Sequence, residues 1–235
     1  MKQELRVAVI IPAYNEAKVI RKVVSDAHEV FSKSRFTIDI ILIDDGSIDS
    51  TYIEALKGGA KVIKHILNSG AGGATATGLS YANQNGYDIA ATMDADGQHL
   101  AEDVLKGINI SSNNNVDLLI GSRLINNEGM SFVKTWGNKG LSLITYLLFG
   151  INTTDSQSGL RIFSKRALME LRWRTSGYEF CSEMLWRAKQ LGLNIDEYPI
   201  SSIYTEYSKA KGQNNWNGVN IVKSLIVRRI SELLG

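Results

Sequence analysis

Cysteine is almost missing from this chain. Cys181 stands alone, so an internal disulfide is excluded and the composition fits a reducing compartment. A lone cysteine is read first as a small apolar core side chain, not as a nucleophile. Long hydrophobic runs are missing too. The longest, Leu141-Ser-Leu-Ile-Thr-Tyr-Leu-Leu-Phe149, is about half of the roughly 18–20 residues that a membrane span needs. The start, Met1-Lys-Gln-Glu-Leu-Arg6, is polar and leads into a strand, unlike a signal peptide. Charge of one sign is missing as well: 26 basic and 24 acidic residues leave a net charge of +2, which gives no argument for a nucleic-acid partner. With 44% hydrophobic and 21% charged residues among 235, the chain has the profile of a soluble or peripheral protein. It is long enough for one well-packed α/β domain.

What is present is an alternation. Runs at 7–11, 38–43, 61–66, 89–93 and 116–120 read as strands, with helical patterns near 16–33, 50–58, 73–85 and 100–111. Short, continuously apolar strands separated by helices predict a mostly parallel sheet covered on both faces. The second half is less regular. Helical patterns near 135–149, 165–172, 180–191 and 219–234 flank short strands around 160–163 and 194–200. No linker or internal repeat divides the chain, so a single domain spanning 1–235 is expected.

In parallel sheets of this kind ligands bind beyond the carboxyl ends of the strands, and the chemically unusual residues fall there. The fourth strand runs into Asp94-Ala-Asp96-Gly-Gln98-His99. Two carboxylates one residue apart repel each other, and a divalent cation such as Mg²⁺ or Mn²⁺ would relieve that repulsion. An isolated pair of this kind is also compatible with a solvated acidic turn. The first strand exits through Ile11-Pro-Ala-Tyr-Asn-Glu16, where Tyr14 offers a flat face to a base and a helix is expected from Asn15 or Glu16; ordinary strand-to-helix punctuation explains it equally well. After the second strand, Asp44-Asp45-Gly46-Ser47 looks like a turn and helix cap. That leaves the adjacent acids to accept bonds from a ribose or a base. The stretch Asn68-Ser-Gly70-Ala-Gly72-Gly-Ala-Thr-Ala-Thr-Gly78 reads either as a phosphate cradle at a helix amino terminus or as close helix-to-sheet packing. It is neither a complete dinucleotide fingerprint, since the third glycine is absent, nor a P-loop, since no Gly-Lys-Ser/Thr follows.

The order of these pieces along one alternating sheet closely resembles family 2 glycosyltransferases of the GT-A (Rossmann-like) fold, most of all the polyprenyl- and dolichol-phosphate sugar transferases. The resemblance rests on Pro-Ala-Tyr-Asn-Glu (12–16), Asp-Asp-Gly-Ser-x-Asp-x-Thr (44–51), Asn-x-Gly-x-Gly (68–72), Asp-Ala-Asp-Gly-Gln-His (94–99), Gly-Ser-Arg (121–123), Asp-Ser-Gln-Ser-Gly-Leu-Arg-Ile-Phe (155–163) and Glu-x-Pro-Ile (197–200). It implies a nucleotide-sugar half over 1–122 and an acceptor half, partly helical, over 123–235. Pro12, Ala13, Tyr14, Glu16, Asp44, Asp45 and Gly46 would hold the nucleoside. Gly70, Gly72, Asp94 and Ala95 would meet the rest of the donor, with Lys209 and Lys211 closing over the diphosphate. Asp94, Asp96 and Gln98 would bind Mg²⁺ or Mn²⁺. Ala71 stands where that group often carries lysine, which leaves the nucleotide, UDP or GDP, open.

A phosphate acceptor is already ionised and needs cations more than a base. Arg123, Arg161, Lys165 and Arg166 are the candidates, because arginine grips phosphate through a planar fork; an ordinary solvated basic residue is the readier reading of Lys165 and Arg166. Asp155 lies where the group places an acid near the acceptor, and would orient the acceptor or cap a turn. Asp96, Asp155, Arg123 and Arg161 are thus the expected catalytic residues. A hydroxyl acceptor would instead require a carboxylate base, for which Asp155, Glu179 or Glu183 would serve. A non-catalytic nucleotide-sugar-binding subunit is the reading from another class. The processive signature Gln-x-x-Arg-Trp is missing. A polyprenyl acceptor further implies a protein peripheral to the cytoplasmic face of a membrane. It would be held there by interfacial helices at 136–149 and 219–234 or by a small membrane-protein partner. Core packing and a homo-oligomer contact are the other readings of those helices.

Overall fold

The computed structural model describes residues 5–125, 132–201 and 203, with 132–136 and 138 described by backbone alone. In chain order the elements are β1 (Arg6–Ala13), α1 (Ile20–Phe31), β2 (Thr37–Asp44), α2 (Thr51–Gly58), β3 (Lys61–Lys64), α3 (Ala71–Gln84), β4 (Ile89–Thr92), α4 (Ala101–Asn113), β5 (Leu118–Ser122), α5 (Phe132–Phe149), β6 (Arg161–Ser164), α6 (Lys165–Glu170), α7 (Phe180–Gln190) and β7 (Ile195–Pro199). The expected strands and helices are all present among the described residues. The expected helix at 219–234 lies outside them.

One seven-stranded sheet runs β3-β2-β1-β4-β6-β5-β7. It is parallel except at β6, which is antiparallel to both β4 and β5. The apolar runs are continuous because both faces are covered. Along β1, Val7, Val9 and Ile11 point into one core with α1, while Ala8 and Ile10 point into the other with α3, α6 and α7, the two-residue alternation of a strand. Helix α1 buries Ile20, Val23, Val24, Ala27 and Phe31, one stripe at helical spacing. Gly78 brings α3 against the sheet, since a Cβ there would lie 2.3 Å from Ile10 Cγ2.

One boundary differs from expectation. Asn15 adopts φ of 55° and α1 begins at Ile20, after a turn in which the Glu16 carbonyl accepts from the amides of Val19 and Ile20. The carboxyl ends of β1, β2 and β4 therefore open into loops before any helix begins. The strand order reverses between β1 and β4, the place where sheets of this type leave a crevice.

Candidate active site

Asp94 and Asp96 leave β4 at that crevice. The Asp94 amide donates to Nδ1 of the buried His99 at 3.1 Å, and His99 Nε2 lies 3.6 Å from Asp94 Oδ2. Asp94 itself is half exposed. Asp96 accepts from the Gln98 amide at 3.0 Å through Oδ1 and from the Gln98 side-chain Nε2 through Oδ2. Burial first, then the charge of Asp94, raises the Asp96 pKa above the usual carboxylate range, and the Gln98 bonds only partly oppose them. Two hard carboxylates that disfavour each other's charge fit a divalent cation, and the Gln98 amide holds Asp96 in place. Gly159 completes the turn: a Cβ there would fall 2.3 Å from Asp94 Oδ1.

On the neighbouring strands, Asn15 stitches two loops together. Its amide donates to Ser47 Oγ at 2.9 Å and its Oδ1 accepts from the Ile48 amide at 3.0 Å. Asp44 is fully buried; its Oδ1 accepts from the Ser47 amide at 3.0 Å. Its Oδ2 has no hydrogen-bond partner among the described residues, with the Lys64 ammonium 3.8 Å away. An unsatisfied buried acceptor wants a donor, as the N–H or hydroxyl of a nucleoside supplies. Tyr14, 43% exposed, and Glu16 flank this side, with Pro12 and Ala13 on β1.

Asp45 is occupied differently. Oδ1 accepts from the Ser69 amide at 2.9 Å, from Ser69 Oγ at 2.6 Å and lies 2.7 Å from His65 Nδ1, while Oδ2 accepts from the Gly70 amide at 2.8 Å. Burial alone would raise its pKa; these hydrogen bonds outweigh it and leave the carboxyl below the usual range. Gly46, at φ of +75°, has no room for a Cβ against the Asn68 amide, 2.7 Å away. The phosphate-cradle expectation is not met at Gly70 and Gly72. Their amides donate to Asp45 and to the Ser176 carbonyl, the latter at 2.7 Å. A Cβ on either glycine would strike the 175–176 backbone at 2.4–2.5 Å. Close packing explains these glycines.

On the acceptor side, Arg123 and Asp155 meet each other. Arg123 Nε and Nη2 donate to Asp155 Oδ2 and Oδ1 at 2.7 and 2.9 Å, and the Arg123 amide adds a bond at 3.3 Å. Asp155 is fully buried. Arg161 is 1% exposed. It donates to the carbonyls of Ser158, Cys181 and Ser156 at 3.0, 3.0 and 2.8 Å. Burial lowers its pKa, against the opposing charges of Asp155 and Glu197. It fastens loop 156–158 to α7, a scaffold for the site in place of the expected open phosphate contact. Lys165 and Arg166 are solvent-facing basic residues and not acceptor contacts. Antiparallel β6 carries them to the opposite end of the sheet, beside the amino ends of β4 and β5, where they pair with Asp88 at 3.2 Å and Asp117 at 3.4 Å. Glu183, 1% exposed, accepts from the Arg174 and Thr175 amides at 3.0 and 2.9 Å. Glu179 sits at the amino terminus of α7. Cys181 is buried in the core and burial pushes its thiol up to about 11, as a structural cysteine requires. Lys209 and Lys211 lie outside the described residues. The chain passes beside the acidic turn shortly before them, where the Ile203 amide donates to the Gln98 carbonyl at 3.1 Å.

Three contributors escaped the sequence reading. His99 ended a quoted motif with no role assigned, Gly159 lay inside Ser-Gly-Leu-Arg, and His65 joins Asp45 to Thr77 Oγ1 at 3.1 Å. Only Gly159 carried a local signal, a glycine in an otherwise polar turn.

The fold is thus a mostly parallel sheet with paired acids beyond its fourth strand and a buried, unsatisfied acceptor beyond its second. The family described as Glycosyl transferase family 2 matches residues 8–172, and the chain belongs to that family and is a glycosyltransferase. It is 43% identical to the UDP-N-acetylglucosamine–dolichyl-phosphate N-acetylglucosaminyltransferase of Methanococcus voltae, over 96% of each chain. It is 28% identical to the undecaprenyl-phosphate mannosyltransferase of Micrococcus luteus, over 88% of this chain and 87% of that one. Among solved structures, glucosyl-3-phosphoglycerate synthase from Mycobacterium tuberculosis, in complex with Mn²⁺, uridine diphosphate and phosphoglyceric acid, superposes with a TM-score of 0.71. It does so at 20% identity, over 97% of this chain and 78% of that one. That likeness shows the GT-A fold.

Proposed function

We propose that this glycosyltransferase moves a sugar, with inversion, from a UDP- or GDP-sugar to the phosphate of a polyprenyl lipid such as dolichyl or undecaprenyl phosphate. The observation that carries the reading is the Arg123–Asp155 pair. Of the three candidate bases, Asp155 is bound to a guanidinium and Glu183 to two backbone amides, which disfavours both as the base for a hydroxyl; Glu179 is decided by the test below. A phosphate needs no such base, and an arginine fixed along one edge is suited to position it. The dolichyl- and undecaprenyl-phosphate acceptors named for the two relatives above support the same acceptor class.

In this reading the nucleoside lies against Tyr14, Glu16 and the unsatisfied oxygen of Asp44. Asp94, Asp96 and Gln98 would hold Mg²⁺ or Mn²⁺, and the Mn²⁺ in the solved M. tuberculosis structure supports a divalent ion in this fold. That ion supplies Lewis-acid stabilisation of the leaving diphosphate. An oxygen of the acceptor phosphate, guided by Arg123, attacks the anomeric carbon. The bond to the nucleoside diphosphate breaks on the opposite face and its electron pair leaves with the diphosphate.

Helix α5 supports contact with a lipid surface. Its buried face mixes Phe149 of the core with Ser142 and Thr145, which are hydrogen-bonded to Ser156 and Ser182. Leu143, Tyr146 and Leu147 are 57%, 51% and 71% exposed. No helix among the described residues is long and apolar enough to cross a membrane, so α5 would lie along the surface.

The test is release of nucleoside diphosphate with Mn²⁺ or Mg²⁺ across a panel of UDP- and GDP-sugars, with and without a short polyprenyl phosphate. Turnover with one donor that depends on the lipid phosphate is expected. Turnover only with hydroxyl acceptors, lost in Asp155→Asn, Glu179→Gln or Glu183→Gln, would overturn it.

A further inference from the structure

Glu197, in the Glu-x-Pro-Ile stretch, has no part in the chemistry above. It stands on the edge strand β7, opposite Ile120 of β5. Its carboxylate meets hydroxyl and amide donors of one short loop. Thr153 Oγ1 donates to Oε1; the Thr154 amide lies 2.9 and 3.0 Å from the two oxygens; Thr154 Oγ1 donates to Oε2 at 2.9 Å; and the Asp155 amide lies 3.5 Å from Oε1. Thr154 Oγ1 also touches Ser122 Oγ at 2.6 Å, beside Arg123 in sequence. A single carboxylate thus holds both strands of a clamp, Ser122-Arg123 on one side and Thr153-Thr154-Asp155 on the other.

The charges point the same way. Glu197 forms no ion pair within 4.0 Å among the described residues, yet it lies close enough to act on the buried Arg161. Arg123 thus pairs with Asp155 directly, and Glu197 fastens the loop that carries Asp155. A carboxylate that accepts several bonds from backbone and hydroxyl donors fixes their geometry strongly. Constellations of this kind function only when the residues behind them are held.

We infer that Glu197 is a positioning residue for the acceptor: it holds the 153–155 loop so that Asp155 presents both oxygens to Arg123. Its own carboxylate touches neither donor nor acceptor. The inference rests on the proposed function for its readout, because it is acceptor recognition that must suffer. In Glu197→Gln the amide NH₂ would face the Thr154 amide, donor against donor, and the threonine hydroxyls would have to turn from donating to accepting, so the clamp would loosen.

The experiment measures acceptor KM, kcat and donor affinity for the wild type, Glu197→Gln, Arg123→Lys and the double variant in the full chain, using whichever acceptor the wild type accepts. Glu197→Gln is expected to raise acceptor KM by about tenfold or more, the scale of losing an outer partner of a functional group, with nucleotide affinity within about twofold. Its effect should largely vanish in the Arg123→Lys background, since residues in one network do not add. Unchanged acceptor KM, a parallel loss of donor affinity, or full additivity with Arg123→Lys would each overturn the inference. Should Glu197→Gln fail to fold, Thr154→Val removes one of the same bonds and must shift acceptor KM in the same direction. A wild type that glycosylates only hydroxyl acceptors would defeat the phosphate-acceptor reading, while the same comparison still decides the role of Glu197.

Discussion

Arg123 and Asp155 are joined by two parallel N–H···O bonds of 2.7 and 2.9 Å although 32 residues separate them in the chain. Asp155 is fully buried, and a buried carboxylate tolerates the loss of its partner poorly. Arg123→Ala should cost about 3–5 kcal/mol of stability, the range for breaking a buried pair, read by urea unfolding. Arg123→Lys keeps the charge but loses the fork. It should retain most of the stability and lose acceptor affinity, a split that equilibrium unfolding and acceptor kinetics separate.

Asp94 and Asp96 oppose each other in the metal-free protein. Removing one charge should therefore raise metal-free stability and abolish metal-dependent turnover. Asp96→Asn should raise the Tm without metal by about 2–4 °C for each kcal/mol of relieved repulsion. It should lose at least about a hundredfold in kcat, as when one electrostatic stabiliser of a transition state is lost. The wild type, but not the variant, should gain Tm on adding Mn²⁺. A variant that is destabilised without metal would contradict this account.

Gly159 lies where a side chain would displace Asp94. Gly159→Ala places a methyl 2.3 Å from the present position of Asp94 Oδ1, and the carboxylate must swing away. Stability should change by less than about 1 kcal/mol, because the obstructed group is a movable side-chain end and overpacking strain can relax. The Mn²⁺ concentration for half-maximal activity should rise by about tenfold or more.

Asp45 links pH to stability. Its hydrogen bonds to Ser69, Gly70 and His65 hold its pKa below the unfolded value of about 3.9. The folded state therefore binds the Asp45 proton more weakly than the unfolded one. The stabilisation is present above pH of about 4 and is lost as pH falls through the folded-state pKa. Asp45→Asn should cost about 1.5–3 kcal/mol at pH 7 and flatten the acid limb of the stability profile, measured by urea unfolding between about pH 2 and 7.

Local chemistry made much of this protein legible. The two-residue alternation of Val7 to Ile11 and the helical spacing of Ile20, Val23, Val24, Ala27 and Phe31 are properties of short segments. They mark the strands, the helices and the faces that become the two cores. The paired acids at 94 and 96 and the acids at 44 and 45 were visible because like charges beside an apolar strand have no packing explanation.

Local sequence suffices for the alternating α/β architecture and for which strand ends carry the polar residues. Which of those residues meet depends on the folded chain. It sent Lys165 and Arg166 to the far end of the strands through antiparallel β6 and covered Gly70 and Gly72 with the 175–176 backbone. It buried Arg161 among carbonyls and brought Glu197 to Thr154. The reason is physical. Periodicity is a local property read every two or 3.6 residues, whereas each of these pairings depends on strand order and on donors dozens of residues apart.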